Sequence, residues 1–431
     1  MRQPFSSFQQ IRVLDLTDRW GQFAAKLLTQ LGADVVLAEP PGGHELRRAW
    51  PLAVSPAGQP VSLYFWHFNV GKRSVAVDLS AAGGTATLAR LAQAADVILA
   101  GADALDRLSS ALPGGFGRAA VVALSAYGLG YRDEDRADDL HVAARSGTAG
   151  LSGYGPEESS SPVMPPAEQA MHSAGLYGAI AALLAVRSGR PGELYDVSAQ
   201  AAAFQGTEQL FAHWVYRREV LRRRGGGYAT AFPTGRWQLA SADGGYFYPF
   251  GLLPRTQREW TDLKDWMRRE GAIQDLDEPA YADLRELRGP NPVVISERGR
   301  RAGEVIADFL RSMDGETAYR EGQAIKLGWG RVYQPHEVLG EEQFAARGLF
   351  HRTAWPGTED VYLTQSLPWI VASAAARPAA DEVVCPPEAG QHTEAVLQEW
   401  AEPAAGPQSP ARMRSARMRS ARMREADQDG R

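Results

Sequence analysis

The chain has 431 residues, 44% of them hydrophobic, with a mean hydropathy of −0.30 and a formal net charge of −5. That length favours two domains, and mild acidity gives no reason to expect nucleic acid or an anionic membrane as a partner. No run of about 18 apolar residues predicts a membrane span, the first residues lack a signal-peptide core, and a single cysteine, Cys385, excludes an internal disulfide framework and suits a reducing cytoplasm.

Short apolar runs and helical spacings then alternate. Val13 to Leu16 predicts a strand, Thr17 or Asp18 a helix cap, and Trp20, Phe23, Ala24, Leu27, Leu28 and Leu31 a helix stopped by Gly32. Val35 to Ala38 is a second strand, which makes a βαβ unit and a parallel sheet. Strands at Ser74 to Leu79, Asp96 to Ala100 and Ala120 to Leu124, with helices at 84–94 and 102–111, continue a doubly wound α/β pattern. A long helix is expected from Ala167 to Arg187, then a strand from Glu193 to Ser198 and a helix over 199–223. The run from Arg222 to Gly227 reads as a linker. Domain boundaries are therefore placed at 1–227 for the large domain and connector, 228–335 for a smaller α+β domain, and 336–400 for a return to the large domain. The smaller domain opens with strands at Arg236 to Ala240 and Gly245 to Phe250 around the turn Asp243-Gly244. In the tail, 401–431, Ala-Arg-Met-Arg-Ser repeats at a period of five, which matches neither helix nor strand and predicts a solvated, disordered end.

Several chemistries lack their signatures. There is no GxGxxG, no GxxxxGK[ST] and no GxSxG, and the eight histidines form no HExxH, so no protein-built metal site is expected. The segment Tyr64 to Ser74 places aromatics beside Lys72 and Arg73 at a strand entrance. Such a group can grip an adenine ring and a phosphate, or be a solvated basic pair beside core aromatics.

Motifs in order along 11–400 resemble the family III CoA-transferases, the group that includes formyl-CoA and carnitine CoA-transferases and the related racemases. They are Ile11 to Thr17, Leu31 to Val36 with Glu39 to Gly43, Phe68-Asn69-x-x-Lys72-Arg73-Ser74, Ala95 to Ile98, Arg136 to Leu140, Gly175-Leu176-Tyr177, Gly192 to Ser198, Leu327 to Val332 and Ala345 to Phe350. The resemblance implies a large Rossmann-like domain, a small domain and an interlocked homodimer, with a CoA thioester and a carboxylic acid as substrates and no metal. It places Asn69, Lys72 and Arg73 on the nucleotide part of CoA, Arg136 near the CoA, and Gly21 in the turn against which CoA packs.

Two departures stand out. The family's Asn-Phe-x-Pro-Gly loop is here Ala100-Gly101-Ala102-Asp103. The family's nucleophilic aspartate, four residues before the glycine matching Gly175, is here Met171, and a thioether cannot form the acyl anhydride that a carboxylate forms. Glu168, one turn earlier in the expected helix, is the candidate substitute, or else an ordinary helix-start glutamate, and His172 the candidate acid-base assistant. Three functions follow: a CoA-transferase with a relocated carboxylate, a non-catalytic CoA-ester binder paired with an active paralogue, and a racemase-type isomerase. The last is disfavoured, because Asp138 stands where the racemases carry a histidine.

Overall fold

The computed structural model describes residues 8, 10–55, 58–81, 83–131, 137–153, 161–189, 191–223, 238–249, 251–288, 295–354, 361–369 and 385–401. In chain order the elements are β1 (Arg12–Leu16), α1 (Gln22–Leu31), β2 (Asp34–Glu39), β3 (Leu52–Val54), β4 (Pro60–Ser62), α2 (Leu63–Asn69), β5 (Arg73–Ala76), α3 (Gly84–Ala94), β6 (Val97–Ala100), α4 (Ala102–Ala111), β7 (Ala120–Ser125), α5 (Asp139–Arg145), α6 (Thr148–Leu151), α7 (Gln169–Ser188), β8 (Leu194–Ser198), α8 (Ala199–Gln205) and α9 (Glu208–Arg217). They continue with β9 (Leu239–Ala240), β10 (Tyr246–Pro249), α10 (Gln257–Arg269), α11 (Leu284–Leu287), α12 (Glu297–Arg311), α13 (Gly315–Ala324), β11 (Trp329–Val332), α14 (Glu342–Arg347), β12 (Phe350–Ala354), β13 (Val361–Gln365) and α15 (Thr393–Glu399).

The described residues fall into two compact units. The first comprises Met1–Thr148, Pro165–Thr207 and Ala345–Arg431, and the second Ala149–Met164 and Glu208–Phe344. The linker signal at 222–227 had suggested a later boundary; the break instead follows Gly206 and Thr207, which split the helix expected over 199–223 into α8 and α9.

The first unit is built on a six-stranded parallel sheet of order β5-β2-β1-β6-β7-β8. Its central strands are apolar on both faces, as a parallel sheet covered by helices requires: Val13, Leu14, Val36, Ile98, Leu99, Val122 and Leu124 are fully or almost fully buried. One face packs on α1 and α7, the other on α3, α4 and α15. Gly32 ends α1 in a left-handed conformation (φ 104°), with its N–H bonded to the carbonyls of Leu28 and Thr29, the glycine C-cap geometry. Close packing of α7 on α1 requires Gly175, because a Cβ there would lie 2.6 Å from Phe23 Cβ.

The expectation that no segment suits a membrane span needs a correction. By length and composition α7 is apolar enough to cross one, and half of it is buried inside the protein. The small residues Ala170, Ala174, Gly178, Ala181 and Ala185 form its buried face.

In the second unit a three-stranded antiparallel sheet, β11-β10-β9, packs with α10, α12 and α13 around Trp260, Trp266, Phe309 and Trp329. A capping box between Thr256 and Glu259 starts α10. Of the tail, 402–431 lies outside the described residues, and so do Arg236 and Phe250 at the ends of two expected strands.

Candidate active site

From β1 the chain steps outward to β2 and β5, then crosses to the other side at β6. The crevice beyond the carboxyl ends of β1 and β6 is therefore the topological switch point, where open α/β sheets bind ligands. A cavity of about 550 Å³ opens there, lined by Thr17, Asp18, Glu39, His44, Gly101, Asp103 and Arg107 among others. The departing loop lies here, with Gly101 as the N-cap of α4. A Cβ on Gly101 would sit 3.0 Å from Asp18 Oδ2. Asp18 Oδ1 accepts from Trp20 N at 2.9 Å. Burial, with the nearby charges of Glu45 and Asp103, raises Asp18 to about 6.

Three of the predicted CoA-binding residues meet in a buried polar network beneath the first turn. Lys72 Nζ donates to Asp15 Oδ2 at 2.8 Å, with both side chains fully buried. Burial lowers the Lys72 pKa, and Asp15 opposes that shift. Asp15 Oδ1 accepts from Thr17 N and Thr17 Oγ1. Asn69 Nδ2 donates to Gln22 Oε1 at 3.1 Å and Phe65 O at 2.9 Å, and Gln22 Nε2 reaches Thr17 Oγ1. Gly21 packs against the same threonine; a Cβ there would fall 2.2 Å from Thr17 Cγ2. Arg73 lies apart, at the amino end of the sheet, where it binds Asp34 through two bonds and Glu399 through a third. Asn69, Lys72 and Arg73 do not line the crevice, and each donates to protein acceptors instead. Arg136 lies outside the described residues.

The second focus is the start of α7. Glu168 is not on the helix, as the spacing had suggested; it is the residue before it, and both Ala167 (φ 62°) and Glu168 (φ 51°) adopt left-handed backbone, a costly conformation for residues other than glycine. The same-face relation to Met171 and Gly175 is therefore lost. Arg19 Nη1 donates to Glu168 Oε1 and the Tyr64 hydroxyl to Oε2, each at 2.9 Å. Burial, reinforced by the Glu168 charge, pushes the Tyr64 phenol up. Met171 is fully buried in the apolar cluster with Ala24, Leu28 and Ala174.

Asp139 Oδ1 accepts from Met171 N at 2.9 Å and so caps α7 from another helix, while its buried Oδ2 has no hydrogen-bond partner. Burial raises its pKa, against the backbone bond from Met171. His172 Nδ1 lies 2.9 Å from Glu168 O, and its ring packs on Phe23 and Phe68. Close by, Lys26 Nζ and His67 Nε2 are 2.8 Å apart. Burial lowers Lys26 to about 7 and His67 to about 3. Sequence reasoning had singled out neither Arg19 nor the role of Tyr64; the partners of Glu168 are 149 and 104 residues away, beyond any local pattern.

Comparison with known proteins agrees with this architecture. The model of CoA-transferase family III matches residues 8–393. The subunit BbsE of succinyl-CoA:(R)-benzylsuccinate CoA-transferase from Thauera aromatica is 28% identical, over 94% of this chain and 96% of that one. The alpha subunit of succinyl-CoA–L-malate CoA-transferase from Chloroflexus aurantiacus is 25% identical, over 83% and 81%. Among solved structures, a CaiB/BaiF family protein from Brucella suis superposes with a TM-score of 0.73 at 19% identity, covering 92% of this chain and all of that one, a likeness of fold. With the family model matched over nearly the whole length and the parallel sheet of the fold in place, the chain belongs to CoA-transferase family III.

Proposed function

We propose that this chain binds a CoA thioester and works as one subunit of an acyl-CoA:carboxylate CoA-transferase, with the nucleophilic carboxylate supplied by a second, homologous chain. The observation that carries this reading is Met171, fully buried in the apolar core at the position where the resemblance puts the nucleophile. In the family reaction a carboxylate attacks the thioester carbonyl and expels CoA thiolate, and the thiolate then attacks the enzyme-side carbonyl of the resulting anhydride, which releases the donor acid as a carboxylate and leaves an enzyme thioester. No step of that sequence has an equivalent for a thioether. Both benzylsuccinate and malate relatives are themselves described as subunits. An interlocked dimer suits the exposed side of α7, where Leu176, Tyr177, Ile180 and Leu184 are each 40–56% exposed.

A second reading keeps catalysis within this chain, with Glu168 as nucleophile. It is favoured by the partial exposure of that carboxylate, 25%. Against it, both carboxylate oxygens already accept hydrogen bonds, which stabilises the charge and weakens the nucleophile. The racemase reading gains nothing from the structure, since Asp138 serves as the N-cap of α5 by accepting from His141 N.

Incubation of the purified chain with succinyl-CoA, followed by hydroxylamine and mass spectrometry, separates the first two readings. We expect CoA binding by calorimetry with no hydroxylamine-sensitive adduct. Efficient CoA transfer by the chain alone, with an adduct on Glu168 that Glu168→Gln abolishes, would establish the second reading instead.

A further inference from the structure

The contact between Arg19, Tyr64 and Glu168 has the form of a ligand site filled by the protein itself. Asp18 accepts from Trp20 N and so fixes the short turn Arg19–Gly21 that carries the arginine. The guanidinium lies over the Tyr64 ring, 5.3 Å from its centroid, and the Tyr64 ring packs in turn on Phe68 at 4.8 Å. Two donors on separate elements thus converge on one carboxylate, one donor per oxygen and each at 2.9 Å. Charge-assisted pairs of this kind are how proteins recognise carboxylate ligands. Arg19 stays 41% exposed, so the site is open to solvent.

The present occupant is held against its backbone preference. Ala167 and Glu168 are consecutive non-glycine residues with positive φ, a strain that persists only where surroundings impose it. The Glu168 side chain makes no capping bond to α7, and the Met171 N–H of that helix end is bonded by Asp139. Departure of the Glu168 side chain therefore costs no side-chain cap, and the Glu168 carbonyl can keep its bond from His172 N.

We infer that Arg19 and Tyr64 form a recognition site for a carboxylate of the acid substrate, and that Glu168 occupies it in the free protein as an internal competitor. The inference rests on the reading that this chain takes part in transfer between a CoA ester and a carboxylic acid. It names the side chains that select for acid. It also gives Glu168 a role other than nucleophile.

The test uses the full chain and succinate as the probe, with succinamide, which lacks carboxylates, as control. Glu168→Ala and the milder Glu168→Gln should each tighten succinate binding in calorimetry, by about tenfold if the internal carboxylate fills the site nine-tenths of the time. Arg19→Gln should abolish the binding in the wild-type and Glu168→Gln backgrounds, and succinamide should not bind. Succinate affinity that is unchanged or weaker in both Glu168 variants, in proteins that melt as wild type, would overturn the inference, and so would affinity that survives Arg19→Gln. A parallel titration with CoA separates the two levels. Absence of CoA binding defeats the proposed function, whereas CoA binding without the gain in succinate affinity defeats this inference alone.

Discussion

Replacing Lys72 with methionine tests what the most recognisable motif of the sequence does. The motif suggested an ammonium group on CoA phosphates, but the structure seals Lys72 against Asp15 with neither side chain exposed. Lys72→Met would leave the Asp15 carboxylate buried without its cation. Breaking a buried pair from one side costs about 3–5 kcal/mol. Asp15 Oδ1 keeps its two donors on Thr17, which favours the lower end, about 3 kcal/mol. At about 2–4 °C per kcal/mol for a domain of this size, the melting temperature should fall by about 6–12 °C. Adding Asp15→Asn should recover most of the loss, because the uncompensated charge is then gone. Thermal melts by circular dichroism, with CoA titrations well below the transition, read both quantities. We expect a lower melting temperature and CoA affinity within about twofold of wild type. A variant that melts as wild type yet binds CoA tenfold more weakly, about 1.4 kcal/mol, would show that the ammonium group faces the ligand.

Four other outcomes are expected. Lys26, lowered to about 7 from its ordinary 10.5, is neutral in the fold and charged in the unfolded chain between those values. Stability should therefore rise with pH across that window and level off below about pH 7. Lys26→Met should flatten the rise in urea unfolding at pH 7 and 9.5, and an unchanged slope would show that Lys26 stays charged. Truncation after Ala401 should leave the melting temperature unaltered, whereas truncation before Glu388 removes buried Val396 and Trp400 and the Trp400 bond to Asp34. The latter should cost about 3–5 kcal/mol, and equal melting of both truncations would refute the docking. Met171→Asp puts a carboxyl into an apolar cluster and should destabilise by several kcal/mol (about 2–7 for an unpaired polar group) without producing a CoA adduct; an adduct in mass spectrometry would reverse that expectation. Light scattering should show a dimer, with itself or with a homologous chain, burying about 2,000 Å² or more; a stable monomer alone and in mixture would contradict the assembly.

Where the sequence was legible, the reason is local. Helices α3 and α4 begin and end where periodicity placed them, at Gly84 and Ala94 and at Ala102 and Ala111, since apolar spacing and flanking breakers act within one turn. The strands of the parallel sheet announce themselves as short apolar runs because both faces are buried. The helix at Tyr64 to Phe68 was not legible, for the opposite reason. Aromatics favour strands, yet here Ser62 accepts from Phe65 N and caps a seven-residue helix whose Phe65, Trp66 and Phe68 are buried. Tertiary burial overrides propensity in such a short segment. Asp15 looked like one polar residue in an apolar strand, and only the fold brings Lys72, 57 residues away, to its carboxylate. The left-handed backbone at Ala167 and Glu168 has no glycine to signal it.

The two positions that the sequence resemblance reads as departures from the family pattern share a physical feature. Each lies at the amino end of a helix, α4 for the loop at 100–103 and α7 for Met171. Helix amino ends favour negative charge through their free N–H groups and dipoles. In this chain a protein carboxylate stands at each: Asp18 beside Gly101 at α4, and Asp139 bonded to Met171 N at α7. Gly101 makes the first arrangement possible, because any side chain there would press on Asp18. Burial of Met171 accompanies the second, since its side chain fills the apolar space under α1 while its backbone is capped from α5. The positive ends that could steady a developing anion are thus already answered from within, and the sheet, the crevice and the α1–α7 contact remain intact around them. On the proposed reading, a chain that lacks the nucleophile keeps a fully formed scaffold, which can hold substrate and shape the site of a partner chain.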